Sequence, residues 1–160
     1  MDSLSTTDPS FDISKAQVTE PDVAALIERH FGLMRSQSPE EACHVMSARA
    51  LSESGTQVYV LRYERKALAI GALKTIDEGV ELKSMHTAAE ARGRGCARAL
   101  LRALLKAAMA QGFANVFLET GAGPEHLAAR TLYASEGFKE CPAFGSYTAH
   151  PLSVYMTRNI

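Results

Sequence analysis

Arg92-Gly93-Arg94-Gly95-Cys96-Ala97 is the stretch that decides the fold of this chain. It stands between a strand predicted over residues 80–87 and a helix from Ala97, whose apolar residues recur at i, i+3 and i+4. Glycines let backbone N–H groups approach an anion, and a helix N-terminus adds positive partial charge. The stretch therefore predicts a phosphate-binding loop, although it matches neither the Walker signature nor the three-glycine dinucleotide fingerprint.

Hydrophobic periodicity outside this loop predicts a mixed α/β fold. Three strands with short turns precede the loop and suggest an antiparallel meander. The strand after the central helix is separated from residues 80–87 by about 17 helical residues, so the two can pair in parallel. The predicted strands are 11–17, 57–63, 67–76, 80–87, 115–119, 138–141 and 152–158, and the predicted helices are 21–36, 38–51, 97–111 and 124–136.

The composition excludes several classes of protein. The 160 residues fit one domain, expected over residues 11–160 and preceded by a flexible polar tail, residues 1–10. A net charge of −1 is not that of a nucleic-acid-binding protein. The three cysteines lack metal-ligand spacing, so no metal site is expected. With no signal peptide and no apolar run long enough to span a membrane, a cytoplasmic protein is predicted.

The loop resembles the Arg/Gln-x-x-Gly-x-Gly/Ala signature of the GCN5-related N-acetyltransferases, the GNAT superfamily. Leu132-Tyr133 and Gly137-Phe138 resemble the family's Leu-Tyr-x-x-x-Gly-Phe motif, and the predicted elements follow the GNAT order from residue 11 to residue 158. The resemblance is to bacterial members of small-molecule type. It implies an acyl-CoA acyltransferase fold, with a central mixed sheet of six or seven strands flanked by about four helices. It also implies acetyl-CoA as co-substrate, held between strands 80–87 and 115–119.

The resemblance also implies a role for each matching residue. Backbone groups of Met85, His86 and Thr87 would pair with the pantetheine arm. The N–H groups of Arg92, Gly93, Arg94, Gly95, Cys96 and Ala97, helped by Arg98, would hold the pyrophosphate. His126 takes the place of an asparagine that contacts pantetheine in the family, and Ala129 matches a small residue. Tyr133 would protonate the leaving thiolate.

Two carboxylates compete for the general base that takes the proton of an attacking amine. Glu81 shares a strand face with Lys83, near the place of a catalytic glutamate in some family members. Glu119, at the end of the following strand, is the rival, and it could instead bind substrate; a water chain is the third possibility. The resemblance places acceptor selection in the first two helices and the loop before the last strand, here Arg35, Ser38, His44, Arg49 and the segment Phe144-Gly145-Ser146-Tyr147. Arg35 with Ser38 could hold an acceptor carboxylate, or be a surface charge and a helix cap.

The resulting prediction is an N-acetyltransferase that moves an acetyl group to a primary amine of a small molecule, by direct attack in a ternary complex. Two alternatives stay open, namely a protein or peptide N-acetyltransferase and a non-catalytic regulator that binds acyl-CoA. Neither a nucleic-acid partner nor a membrane partner is expected. A homodimer is a further possibility, because GNAT proteins commonly dimerise.

Overall fold

The computed structural model describes residues 10–160, so all of the predicted tail except Ser10 lies outside the described residues. These residues form one mixed sheet with helices packed against it. The strands are β1 Phe11–Ala16, β2 Gln57–Tyr63, β3 Lys66–Ile76, β4 Gly79–Thr87, β5 Asn115–Gly121, β6 Lys139–Glu140 and β7 Ser153–Asn159. The helices are α1 Pro21–Gln37, α2 Ala48–Glu53, α3 Cys96–Ala110 and α4 Leu127–Ser135, and 3₁₀ turns cover Glu40–Ala42, Ala89–Ala91 and Pro124–His126.

The strand order is β1-β2-β3-β4-β5-β7-β6. The first four strands form an antiparallel meander, and β4 then pairs in parallel with β5 across the α3 crossover. β7 lies antiparallel between β5 and β6. The prediction of a mixed α/β sheet with six or seven strands and about four helices is therefore confirmed. No helix among residues 10–160 combines the length and the apolar character needed to cross a bilayer.

Helix α3 packs against β3 at a glycine. Its buried face carries Leu100, Leu101, Leu104 and Leu105, each 6% exposed or less. A Cβ built on Gly71 would lie 2.8 Å from Leu104 Cδ1 and 2.5 Å from Met85 Sδ. The close approach of α3 to the sheet therefore depends on the missing side chain at this position.

Gly71→Val is expected to lower the free energy of unfolding by about 1–3 kcal/mol, because the added methyl groups overpack the contact between α3 and β3. Gly32→Val is the matched control. Gly32 is exposed in α1 with open space around it, and valine differs from glycine in helix propensity by only a few tenths of a kcal/mol. Urea unfolding of both variants measures the difference. Equal stability of the two would contradict close packing at Gly71.

The helix predicted over residues 38–51 is wrong. Ser38 closes the C-terminal end of α1, where its backbone N–H donates to Met34 O at 3.1 Å, and it caps no second helix. A 3₁₀ turn and an extended stretch follow, and α2 begins only after Ser47, whose Oγ accepts from Ala50 N at 3.2 Å. The apolar spacing that suggested one helix instead serves a segment, residues 42–45, that lines a cavity. Cys, His and Val are also weak helix formers.

A β-bulge interrupts β4. Ile70 pairs with His86 and Ala72 with Lys83, so Ser84 and Met85 stand opposite the single residue Gly71. Ser84 has φ 57°, in the left-handed region that serine rarely adopts. Parallel pairing of β4 with β5 covers Val80–Leu82 against Val116–Leu118 and stops before the bulge. Because a bulge bends its strand, β4 turns away from β5 and a gap opens between them.

Candidate functional site

A cavity of about 630 Å³ occupies this gap and extends along the sheet. It is bounded by β4 and β5, by the loop before α3, by α4, and by the segment that joins α1 to α2. Most of the residues predicted for the site line it: Ser38, Glu81, Met85, His86, Thr87, Arg92, Gly93, Gly95, Cys96, Ala97, Arg98, Glu119, His126, Ala129, Tyr133 and Tyr147. Two predicted residues do not line it. The Arg35 guanidinium lies 5.4 Å from the Phe31 ring centroid, and that of Arg94 lies 4.9 Å from the Tyr63 ring centroid.

The loop before α3 has the shape of an anion site. Gly93 and Gly95 have φ of 79° and 80°, which glycine adopts at no steric cost, and open space surrounds the Cβ position of each. Gly95 is the N-cap of α3 and brings no side-chain oxygen to the first turn. The N–H groups of that turn therefore face outward with the positive end of the helix dipole. This arrangement suits a phosphate group.

Arg98 forms an ion pair with Glu136, the residue that follows the last turn of α4. Its guanidinium donates to Ser135 Oγ at 3.1 Å and to Glu136, while Arg102 Nε donates to the same Glu136 at 2.9 Å. The two arginines hold the pKa of Glu136 below its usual value. These contacts connect the first turns of α3 to the end of α4. Arg98 therefore lies beside the predicted phosphate-binding loop while its charge is partly neutralised by Glu136.

Helix α4 supplies Tyr133. Its side chain is 7% exposed and packs edge-on against Phe138, with ring centroids 5.8 Å apart. Burial, and secondly the carboxylate of Glu119, raise the pKa of Tyr133 above its usual value. The hydroxyl is therefore protonated at neutral pH and able to donate.

His126, just before α4, is buried and belongs to the cavity lining. Among the described residues Nε2 has no hydrogen-bond partner, and its 3.8 Å distance from Glu125 Oε1 exceeds a hydrogen bond. A Cβ at Gly121 would lie 2.1 Å from His126 Cδ2, so this ring depends on the glycine for its place.

Three polar groups form a closed triangle at the other end of the cavity. Tyr147 OH donates to Glu81 Oε2 at 2.5 Å, and Lys83 Nζ donates to the same oxygen at 3.2 Å and to Tyr147 OH at 2.9 Å. Glu81 is 4% exposed, and the Lys83 side chain is 10% exposed. Burial first, and Glu81 second, raise the pKa of the Tyr147 phenol, which stays neutral. The triangle is thus a buried ion pair with a phenol across it.

Glu119 lies between this triangle and Tyr133. One carboxylate oxygen accepts from Ser153 Oγ at 2.8 Å. Burial is the largest influence and raises the pKa of Glu119 above its usual value, and the Lys83 charge opposes the shift. A carboxylate with a raised pKa is a better proton acceptor than an ordinary surface glutamate.

Histidines flank both ends of the cavity. His30 Nδ1 lies 3.3 Å from His86 Nδ1, at hydrogen-bond distance. Burial, and then the charge of a protonated His86, lower the pKa of His30 to about 3, so the pair is neutral at physiological pH. At the other end His44 packs edge-on against Tyr147, with ring centroids 4.8 Å apart.

Sequence reasoning assigned no role to Lys83, Ser153 or His30. The alternation of β4 gives one usable signal, because it places Lys83 on the face of Glu81. Ser153 meets Glu119 through the register of β5 with β7. His30 meets His86 across 56 residues of sequence, for which no local pattern exists.

Comparison with known proteins agrees with this geometry. The model of the acetyltransferase (GNAT) domain matches residues 54–140. The uncharacterized N-acetyltransferase YedL of Escherichia coli K12 is 33% identical over 92% of this chain and 93% of its own. An acyl-CoA N-acyltransferase structure from Klebsiella pneumoniae superimposes with TM-score 0.75 at 25% identity, covering 95% of this chain and 99% of that one. A GNAT acetyltransferase structure from Elizabethkingia anophelis with acetyl-CoA bound gives TM-score 0.71 at 16% identity, covering 96% and 100%. The chain therefore belongs to the GNAT family of acetyltransferases.

Proposed function

We propose that this acetyltransferase moves an acetyl group from acetyl-CoA to a primary amine of a small molecule, by direct attack in a ternary complex. The observation that supports it is one continuous cavity. Its lining includes the predicted phosphate-binding loop at Arg92–Ala97, then Tyr133, and then the carboxylate of Glu119. Such a cavity can hold an anionic carrier and an acceptor next to each other, as direct attack requires.

The residues present fit acetyl-CoA. The open glycine positions of the loop and the first turn of α3 would hold the pyrophosphate. The bulge at Ser84 leaves β4 backbone groups beyond Leu82 unpaired with β5, so that Met85, His86 and Thr87 would pair with the pantetheine amides as with an added strand. His126 Nε2, for which residues 10–160 supply no hydrogen-bond partner, is a further polar group in the cavity lining. When bound, acetyl-CoA supplies an activated acetyl group as a thioester.

Glu119 is the better general base of the two carboxylates. The Glu81 oxygen Oε2 already accepts from Lys83 and Tyr147, so protonating it would disrupt a buried ion pair. Glu119 has a raised pKa and one hydroxyl partner, and it lies toward Tyr133. Glu119 would take the proton of the amine, and the neutral Tyr133 would give one to the departing thiolate.

Glu119→Gln is expected to lower kcat/KM by about 50-fold, somewhat below the usual contribution of a positioned base, because water in the cavity can substitute. In the native enzyme the rate falls as pH drops through the pKa of Glu119, which is raised above 4.5. The acid limb of the kcat/KM profile should therefore lie above the ordinary glutamate range and disappear in Glu119→Gln. An acid limb kept in that variant but lost in Glu81→Gln would assign the base to Glu81.

A small acceptor is favoured over a protein or peptide by the segment between β6 and β7, residues 141–152. The segment covers the end of the cavity formed by Glu81, Lys83 and Tyr147, the acceptor end, because Tyr147 joins the buried triangle there. Outside the cavity lining, Gly145 N donates to Glu78 Oε2 at 2.8 Å and holds the segment in place. Phe144 anchors it in an aromatic cluster with Phe117. An extended polypeptide would have to displace these contacts.

Calorimetric titration with acetyl-CoA, with ATP and NAD as controls, tests the cofactor, and a panel of small amines then tests transfer. We expect binding of acetyl-CoA near the micromolar range with neither control bound. Absence of acetyl-CoA binding in folded protein would overturn the proposal. The single domain over residues 11–160, the homodimer, the cytoplasmic location and the lack of a metal site stay predictions.

A further inference from the structure

The acceptor end of the cavity holds a cation that the transfer chemistry does not use. The Lys83 side chain is 10% exposed, lines the cavity, and gives two of its three ammonium hydrogens to Glu81 and Tyr147. Its nitrogen also lies 5.6 Å from the Tyr147 ring centroid. An ammonium has three donors, so one is left for a group in the cavity.

A second polar group adjoins the same phenol, and it is a donor when Nε2 of its imidazole carries the proton. His44 lines the cavity and packs on Tyr147. Its Nε2 is buried and has no hydrogen-bond partner among the described residues. A buried polar atom without a partner costs free energy, and a bound ligand removes that cost. Lys83 and the Nε2–H tautomer of His44 thus place two donors next to one aromatic ring in the cavity lining.

We propose that the acceptor is an amine that also carries a carboxylate, of the α-amino-acid class, with the carboxylate bound by Lys83 and His44. This deepens the proposed function and rests on it. Two donors match the two oxygens of one carboxylate. The amino group of such an acceptor, a few ångströms from its carboxylate, then lies toward Glu119, a cavity-lining carboxylate close enough to Lys83 to feel its charge.

Charge balance favours a monoanionic group. Lys83 is neutralised by Glu81, so the acceptor end has no excess of positive charge. A dianionic phosphate would meet Glu81 and Glu119 without compensation. A plain amine would leave His44 Nε2 without a partner. A zwitterion supplies an acceptor for the two donors and an ammonium for Glu119.

The test compares α-amino acids with the amines that lack their carboxyl group, for example leucine with 3-methylbutylamine and phenylalanine with 2-phenylethylamine. With acetyl-CoA saturating, we expect kcat/KM for at least one amino acid to exceed that for its paired amine by at least tenfold. The melting temperature of the CoA-loaded protein gives a readout that does not depend on activity. The amino acid should raise this temperature more than its paired amine does.

Two variants assign the preference to the proposed contacts. His44→Phe keeps the aromatic packing and removes the donor, so the ratio of acid to amine should fall about tenfold; His44→Gln, which restores an N–H donor, should recover it. Lys83→Met alone would leave the buried Glu81 carboxylate without its counter-charge, so it is combined with Glu81→Gln. The ratio of acid to amine should fall about tenfold in this double variant as well. Lys139→Met, on exposed β6, is the control and should leave the ratio unchanged.

The outcomes separate the inference from the function on which it rests. Transfer to plain amines at rates equal to or above those of the paired acids overturns the carboxylate site and leaves the small-molecule acetyltransferase standing. A preference for acids that survives in both His44→Phe and the double variant also overturns it. Acetyl-CoA binding without transfer to either series overturns both.

Discussion

Gly95→Glu is expected to weaken acetyl-CoA binding by about 100-fold. The side chain would enter the loop at the N-terminus of α3, where the Cβ position is open, and would bring a carboxylate to the site proposed for the pyrophosphate. At an effective dielectric of about 20, two like charges about 4 Å apart repel by roughly 4 kcal/mol. Solvent at this exposed loop reduces that figure, so we expect about 2.7 kcal/mol, or 100-fold in Kd. Isothermal calorimetry measures it directly.

Gly55→Glu is a closely matched control. Gly55 has φ 71°, near the 80° of Gly95, and its Cβ position is also open, but it lies between α2 and β2, outside the cavity lining. Both variants therefore carry a similar backbone strain of about 1–2 kcal/mol. We expect similar losses of thermal stability and a loss of binding in Gly95→Glu alone. Unchanged binding in a folded Gly95→Glu protein would show that the pyrophosphate does not bind at this loop.

Tyr133→Phe is expected to lower kcat by about 1,000-fold while acetyl-CoA binding is kept. The substitution removes one hydroxyl and leaves the ring against Phe138. General acids contribute roughly 10²–10⁴-fold, and a buried phenol with a raised pKa is in the protonated form that donation requires. Steady-state kinetics with the best acceptor, together with calorimetry, separates turnover from binding.

Tyr59→Phe controls for the general loss of a phenol. Tyr59 lies on β2, away from the cavity lining, and its OH lies 3.3 Å from Gln57 Oε1. This variant should keep full turnover. If Tyr133→Phe also keeps kcat within about threefold, water rather than Tyr133 protonates the thiolate.

Local patterns were sufficient for most elements because the sequence signal is itself local. The apolar spacing of α3 and the turn residues around β2–β4 predicted those elements to within one or two residues. The parallel pairing of β4 with β5 followed from the length of the crossover helix between them. The helix prediction for the segment after Ser38 was wrong because its apolar residues line a cavity. Periodicity alone does not distinguish such residues from the buried face of a helix.

The chemistry of the site depended on contacts that sequence spacing does not reveal. Tyr147 and Glu81 are 66 residues apart, and their hydrogen bond exists because residues 141–152 cross the face of two strands. The pairing of Arg98 with Glu136 spans 38 residues and gives a predicted phosphate ligand a second partner. The glycines and the helix start made the loop a candidate, and the family resemblance added Tyr133. The proposal of Glu119 over Glu81 instead rests on the neighbours that the fold gives each carboxylate.

The short parallel pairing between β4 and β5 has a mechanical consequence. In residues 10–160 the meander β1–β4 and the group β5–β7 share three register pairs, Val80–Leu82 against Val116–Leu118, before the strands separate. That pairing is short, and a molecule bound across the gap would add contacts between the two groups of strands. Resistance to unfolding should therefore grow with the concentration of that molecule, by about 1.4 kcal/mol for each tenfold excess over its Kd. Bound acetyl-CoA would then stabilise the folded sheet in addition to supplying the acetyl group.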